Sequence, residues 1–240
     1  LYRAWTMRDV TKDPIQKTKV AIIGAGFGGL AMAIRLLQSQ INDFVILEKT
    51  NDVGGTWREN QYPGAACDVQ SHMYSLSFAP KTDWSKRYAE ADEIFTYIQD
   101  ITEQYKLKDY CKFNHEVTHA QFDENRNVWT VEFKDQPTLE AQFVIFASGP
   151  LHVPQIPHIK GIEKFKGKVF HSSKWEHDYD LNGKSVASIG TGGSAIQYIP
   201  EIAPEIKQLY VFQRTAAWVI PRDERKYSQL SKTLFKASNI

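Results

Sequence analysis

Two glycine-rich turns, each set between an apolar run and a helical pattern, restrict this chain to folds that use a strand-turn-helix unit twice. Lys19-Val20-Ala21-Ile22-Ile23 leads into Gly24-Ala25-Gly26-Phe27-Gly28-Gly29, and Ser185-Val186-Ala187-Ser188-Ile189 leads into Gly190-Thr191-Gly192-Gly193-Ser194-Ala195. In such a unit the first glycine makes the tight turn and the second lets backbone approach a pyrophosphate. The third lets helix and strand pack closely, while the helix start supplies N–H groups and the positive end of its dipole. Gly24, Gly26 and Gly29 fill these places in the first unit. Gly190, Gly192 and Ala195 fill them in the second, alanine being an accepted third member. Phe27, Thr191 and Ser194 complete the residues expected at the phosphates.

The end of the next apolar run distinguishes the two units. Glu48, followed by Lys49, closes Phe44-Val45-Ile46-Leu47. An acid about 20 residues past the loop accepts hydrogen bonds from adenosine ribose hydroxyls, so Glu48 suits NAD or FAD. Arg214 stands at the same interval from Gly190 as Glu48 does from Gly24. Its guanidinium, with Thr215 beside it, offers a charged fork to a ribose 2′-phosphate and so points to NADP. Two such loops predict two dinucleotides and electron transfer between them.

The remaining composition narrows the class. A chain of 240 residues holds one large or two ordinary domains, and 42% apolar with 24% charged residues is a soluble globular balance. A net charge of +1 gives no ground for a nucleic-acid partner. Cys67 and Cys111 form neither a C-x-x-C nor a metal-ligand pattern, which predicts reduced thiols, no metal and a cytoplasmic protein. Val20 to Ile34 is uncharged, but it is glycine-rich, too short to span a membrane and lacks a cleavage pattern, so neither a secretory signal nor a membrane span is expected.

Periodicity predicts a helix over Leu30 to Gln40, and another carrying Ile94, Ile98, Ile101 and Tyr105. Asn51 to Glu90, rich in glycine and aromatics, has no period and reads as a functional loop. Val117 to Phe122 and Trp129 to Phe133 form an expected hairpin, and Phe143 to Ala147 an expected buried strand. Pro150, Pro154 and Pro157 mark a crossing between domains, and Arg222 to Lys226 is expected to open a helix carrying Leu230, Leu234 and Phe235. The expected fold class is α/β, three-layered, with two Rossmann-like dinucleotide-binding domains. They cover 17–150 and 151–222, the second with too few strands for a complete sheet, and 223–240 begins a helical segment.

Phe165-Lys166-Gly167-Lys168-Val169-Phe170-His171-Ser172-Ser173-Lys174-Trp175 fits F-x-G-x-x-x-H-x-x-x-W between the two loops. This resembles the fingerprint of the flavin-dependent Baeyer-Villiger monooxygenases. Related amine-oxidising flavin monooxygenases share the pattern up to the histidine but carry another aromatic at its end, so Trp175 sets the choice. Gly54-Gly55-Thr56-Trp57, Tyr62-Pro63-Gly64, Cys67-Asp68-Val69 and Ala147-Ser148-Gly149 resemble the flavin-side motifs of the same family. Glu176 and Ser148 depart from its usual residues.

The resemblance implies an N-terminal portion of such an enzyme, with FAD at the first loop and NADPH at the second. It implies flavin contacts by Gly55, Thr56, Trp57, Asp68, Val69, Tyr74, Val117 and Ala147. The implied chemistry is hydride transfer from NADPH to FAD, formation of a C4a-peroxyflavin with O₂, and oxygen insertion beside a ketone carbonyl to give an ester or lactone. Asp68 is the implied catalytic residue of this stretch, orienting an arginine that the family carries beyond residue 240. His171 and Trp175 are expected to serve structure and domain movement rather than chemistry. N- or S-oxygenation, or a non-catalytic FAD-binding fragment, are the alternatives.

Overall fold

A computed structural model describes residues 16–150, 152–216 and 218–238. The polar stretch 1–15, to which the sequence assigns no function, lies outside them. In chain order the elements are β1 (Gln16–Ile23), α1 (Phe27–Gln38), β2 (Phe44–Leu47), α2 (Thr56–Glu59), α3 (Ala91–Gln104), β3 (Cys111–Lys112) and β4 (Val117–Asp123). There follow β5 (Val128–Phe133), β6 (Leu139–Phe146), β7 (Ser185–Ile189), α4 (Gly193–Ile202), β8 (Gln208–Phe212) and α5 (Gln229–Ser238). Among the described residues, no helix is long and apolar enough to cross a membrane.

The chain divides into two compact units: residues up to Val53 with Thr102–Gly149, and Gly54–Ile101 with the residues from Pro150 onward. The break at Gly149/Pro150 falls where the prolines begin. Residues 54–101 group with the second unit, although a continuous 17–150 domain was expected. The physical reason is a set of hydrogen bonds between segments remote in sequence. The Tyr62 hydroxyl donates to Oε1 of Gln197 in α4 at 2.9 Å, and Nε2 of Gln197 donates to the Ala66 carbonyl at 2.9 Å. Backbone bonds from Arg87 N to Arg225 O and from Tyr227 N to Ser85 O, both 2.9 Å, add a short antiparallel pairing.

The first unit is built on a sheet of order β3-β2-β1-β6-β5-β4. β1 runs parallel to β2 and β6, and the β4–β5 hairpin joins antiparallel to β6. Helix α1 buries Gly29, Leu30, Ala33 and Ile34, the i, i+3, i+4 stripe expected of an amphipathic helix on a sheet. Ala21, Val45 and Leu47 cluster instead with Val131, Leu139 and Ala141, and Val117, Ala120, Trp129 and Phe133 pack against that cluster. Among the described residues, the hairpin strands rather than a second helix supply the packing partners of this cluster.

The strand expected at Phe143 to Ala147 forms, as the end of β6, but it is not buried as expected. β5 meets β6 only from Leu139 to Ala141, so among the described residues the rest of β6 has β1 as its sole strand neighbour, and Phe143 and Phe146 are 58% and 61% exposed.

In the second unit β7 and β8 pair in parallel, with Ile189 opposite Phe212. Of the stripe expected for α3, Ile94, Ile98 and Ile101 are buried, whereas Tyr105 lies just past the helix end and is only half-buried. Tyr97, on the same helix, accepts from Leu76 N at 2.9 Å and donates to the Ala79 carbonyl at 2.6 Å, pinning the irregular segment before it. The helix expected to open at Arg222 starts at Gln229 instead. Residues 222–225 are irregular and Lys226 forms a bridge to Lys86, because Arg87 donates to the Arg225 carbonyl and pairs with the Asp223 carboxylate. Phe235 of α5 stacks on His72 with ring centroids 5.1 Å apart.

Candidate functional site

The two glycine loops are conformational copies. Gly24 and Gly190 have φ of +106° and +101°, a left-handed region that glycine enters without steric cost. Gly26 and Gly192 have φ/ψ of −83°/−171° and −78°/−173°, and each opens its helix with no side-chain cap. The first N–H groups of a helix lack intrahelical acceptors, so an uncapped start in this setting is suited to a phosphate. The loops differ in depth. A Cβ on Gly29 would lie 1.9 Å from the Gly24 carbonyl oxygen, and one on Gly24 would lie 2.6 Å from that of Ala147. The second loop already carries a methyl at the corresponding position, the buried Ala195, and a Cβ on Gly190, Gly192 or Gly193 would meet nothing among the described residues within 4 Å.

Glu48, only 6% exposed, is held as the first loop requires. Its Oε2 accepts from Ala25 N at 2.9 Å, and its Oε1 accepts from Thr50 N at 3.0 Å and Thr50 Oγ1 at 2.6 Å. A carboxylate offers about four lone-pair sites, which leaves capacity for a ribose hydroxyl. Gly24, Gly26, Phe27, Gly29, Glu48, Lys49, Val117 and Ala147 all belong to the first unit. Ala147 is joined to the loop strand through its N–H to Ile23 O at 2.9 Å, whereas Val117 packs against the hairpin-side core. Gly24, Gly29, Glu48 and Ala147 thus converge on one turn, an arrangement that fits the adenosine diphosphate part of FAD.

At the second loop, strand register corrects the counting made from sequence. Gly24 N donates to Leu47 O and Gly190 N donates to Phe212 O, both at 2.8 Å. Leu47 and Phe212 are therefore equivalent, and the structural counterpart of Glu48 is Gln213, while Arg214 corresponds to Lys49. The connection to β8 is one residue shorter than that to β2, and an equal count overshoots by one. Gln213 Nε2 donates to Thr191 Oγ1 at 2.8 Å, a contact to the loop that the sequence did not suggest. Arg214 and Thr215 are exposed one and two positions further on.

The other expected flavin contacts lie in the second unit. Gly55 precedes α2 and Thr56 begins it. The Trp57 indole N–H donates to the Tyr74 hydroxyl at 3.1 Å, the rings meeting edge-on at 5.6 Å, so this pair is brought together. Burial pushes the Tyr74 phenol up from its ordinary value. Asp68 and Val69 are exposed beside the buried Cys67, whose Sγ accepts from Val69 N at 3.3 Å. In the fingerprint, His171 Nδ1 accepts from Ser173 N at 3.2 Å and lies 2.9 Å from its hydroxyl, a local turn contact. Trp175 packs 5.3 Å from Tyr198 of α4, whose hydroxyl is 2.8 Å from Ser188 Oγ in β7. The end of the fingerprint thus rests on the second loop's own helix. Gln197, also on α4, was not legible beforehand, because a lone glutamine in a helical run carries no pattern.

Both cysteines are free thiols. Burial raises that of Cys67, and burial with the nearby Glu48 and Asp52 carboxylates pushes Cys111 up to about 12. Neither is poised as a thiolate nucleophile.

The family described as pyridine nucleotide-disulphide oxidoreductase matches residues 21–235. The chain is 46% identical over 222 residues to a Baeyer-Villiger monooxygenase of Streptomyces coelicolor, covering 92% of this chain and 43% of that one. Among solved structures it is similar to an oxidized steroid monooxygenase bound to NADP, with TM-score 0.87 and 37% identity over 93% of this chain and 44% of the other. It is also similar to OTEMO in complex with FAD and NADP, with TM-score 0.87 and 33% identity over 92% and 43%. The chain belongs to the pyridine nucleotide-disulphide oxidoreductase family, and its relatives at 46% identity are Baeyer-Villiger monooxygenases. It spans less than half the length of these relatives.

Proposed function

We propose that the protein is an FAD- and NADPH-dependent monooxygenase that places one oxygen atom of O₂ beside a ketone carbonyl, giving an ester or lactone. The observation that carries this reading is the duplicated loop geometry, two glycine turns of one conformation that each open an uncapped helix, in a chain of this family. FAD, when bound, supplies the hydride acceptor and the activation of O₂. The chain's own work is binding and positioning. The turn at Gly24, Gly26 and Gly29 presents the start of α1 to the FAD pyrophosphate, and Glu48 accepts from the adenosine ribose. Gly190, Thr191, Gly192, Ser194 and Ala195 do the same for NADPH at the start of α4, with Arg214 and Thr215 at the 2′-phosphate. Asp68 orients a cationic group that keeps developing negative charge stabilised during oxygen transfer. Trp57 and Tyr74, each holding the other's polar end, offer ring faces for the flavin.

Purified full-length protein tests this reading directly. It should be yellow, release free flavin on denaturation, and consume NADPH in step with ester formation from a ketone. Failure to bind added FAD would remove the first-loop assignment. Oxygenated tertiary amines or thioethers with no ester would move the protein to the N- or S-oxygenating class, and flavin binding without any product would leave a cofactor-binding module.

A further inference from the structure

We propose that Gln213 selects the pyridine dinucleotide at the second loop, because its neutral amide stands where the first loop has a carboxylate and so admits a ribose 2′-phosphate. The inference rests on the reading that this loop holds NADPH. In both units the side chain at the end of the second strand folds back onto the residue between the first two glycines. Glu48 Oε2 accepts from Ala25 N at 2.9 Å, and Gln213 Nε2 donates to Oγ1 of Thr191, which stands in the place of Ala25, at 2.8 Å. The backbone bonds that align Leu47 with Phe212 make the equivalence one of position as well as contact. The chemical difference is charge. A phosphate placed beside the carboxylate of the first loop would meet like charge in a partly desolvated site, and such juxtapositions are strongly disfavoured. Beside a neutral amide, whose Nε2 is already engaged by Thr191 Oγ1, it meets none. Arg214, at the position of Lys49, then adds a forked cation beside that neutral amide.

Titration calorimetry of the full-length protein with adenosine 2′,5′-bisphosphate and with 5′-AMP tests this without turnover. The unaltered protein should favour the bisphosphate. Gln213→Glu should cut that preference roughly tenfold or more by weakening the bisphosphate rather than AMP. Gln213→Leu, which keeps the site neutral, should change the preference by less than about threefold. If Gln213→Glu keeps the original preference, or if Gln213→Leu loses as much, charge at this position is not the selector and the inference falls while the NADPH reading stands. If the unaltered protein shows no preference for the bisphosphate, the NADPH reading itself falls and takes the inference with it.

Discussion

At the scale of single residues, Arg214 and Asp68 carry the sharpest expectations. Losing a charge-assisted hydrogen bond costs about 1.5 to 3 kcal/mol, so Arg214→Ala should weaken NADPH binding roughly 10- to 150-fold and leave NADH nearly unchanged. Binding titrations with both coenzymes check this, and an equal loss for the two would make Arg214 an ordinary surface cation. Asp68 is exposed in an irregular segment. Asp68→Ala should slow NADPH-driven flavin reduction or product formation by roughly 10- to 100-fold, the range that misplacing one reacting group produces, and weaken FAD binding by less. Stopped-flow reduction rates equal to those of the unaltered enzyme, with equal coupling, would strike Asp68 from the site. What the sequence did reveal at this scale was residue type in motif context. It did not reveal Gln213 or Gln197, because their roles depend on partners that folding supplies.

At the scale of elements, the contrast between the two glycine loops is open to a paired experiment. Gly29→Ala forces a Cβ to within 1.9 Å of the Gly24 carbonyl oxygen, so α1 must move off β1. The expected cost is about 2 to 3 kcal/mol or more, with loss of bound FAD, read by thermal unfolding and by released flavin. At Gly193, the first residue of α4, a Cβ meets nothing among the described residues within 4 Å, and the corresponding residue of the first loop is already Phe27. Gly193→Ala should accordingly be neutral or stabilise by about 0.5 to 1 kcal/mol, the ordinary helix preference for alanine. Equal destabilisation by the two substitutions would refute the claim that only the first loop is closed. Elements bounded by glycine turns and built on strong periodicity, β1, α1, β2, β7 and α4, were readable within a few residues. The irregular run at 222–226 was not, since a charged stretch before an apolar stripe looks like a helix start until Arg87 is seen to pair with it.

At the scale of the whole molecule, stability at acid pH should depend on an ion pair that ties the hairpin to the central sheet. Arg126, in the β4–β5 turn, pairs with Glu140 of β6, and Lys17 of β1 lies 3.5 Å from the same carboxylate. Arg126, with smaller help from Lys17, holds the Glu140 carboxyl below its ordinary value. A carboxyl whose folded pKa is depressed contributes stability that is present above its unfolded pKa, near 4.3 for glutamate, and is lost as pH falls through the folded value. Melting temperatures measured from pH 7 downward should fall more steeply below about pH 4.5 in the unaltered protein than in Glu140→Gln. Parallel pH profiles for the two would mean that the pair is solvated and contributes nothing measurable.

Local backbone chemistry was written in the amino-acid order. Glycine is the residue that takes positive φ and close approach, and alternating or 3.6-residue apolar spacing selects strand or helix. The two strand-turn-helix units, their likeness and the family pattern around Trp175 followed from that. Three-dimensional pairing settled the rest. The register of β8 on β7 put Gln213 rather than Arg214 opposite the loop, because alignment follows backbone hydrogen bonds and not residue counts. The grouping of residues 54–101 with the second loop's unit rests on Gln197 and Arg225 meeting groups far away in sequence, contacts whose existence no local pattern encodes.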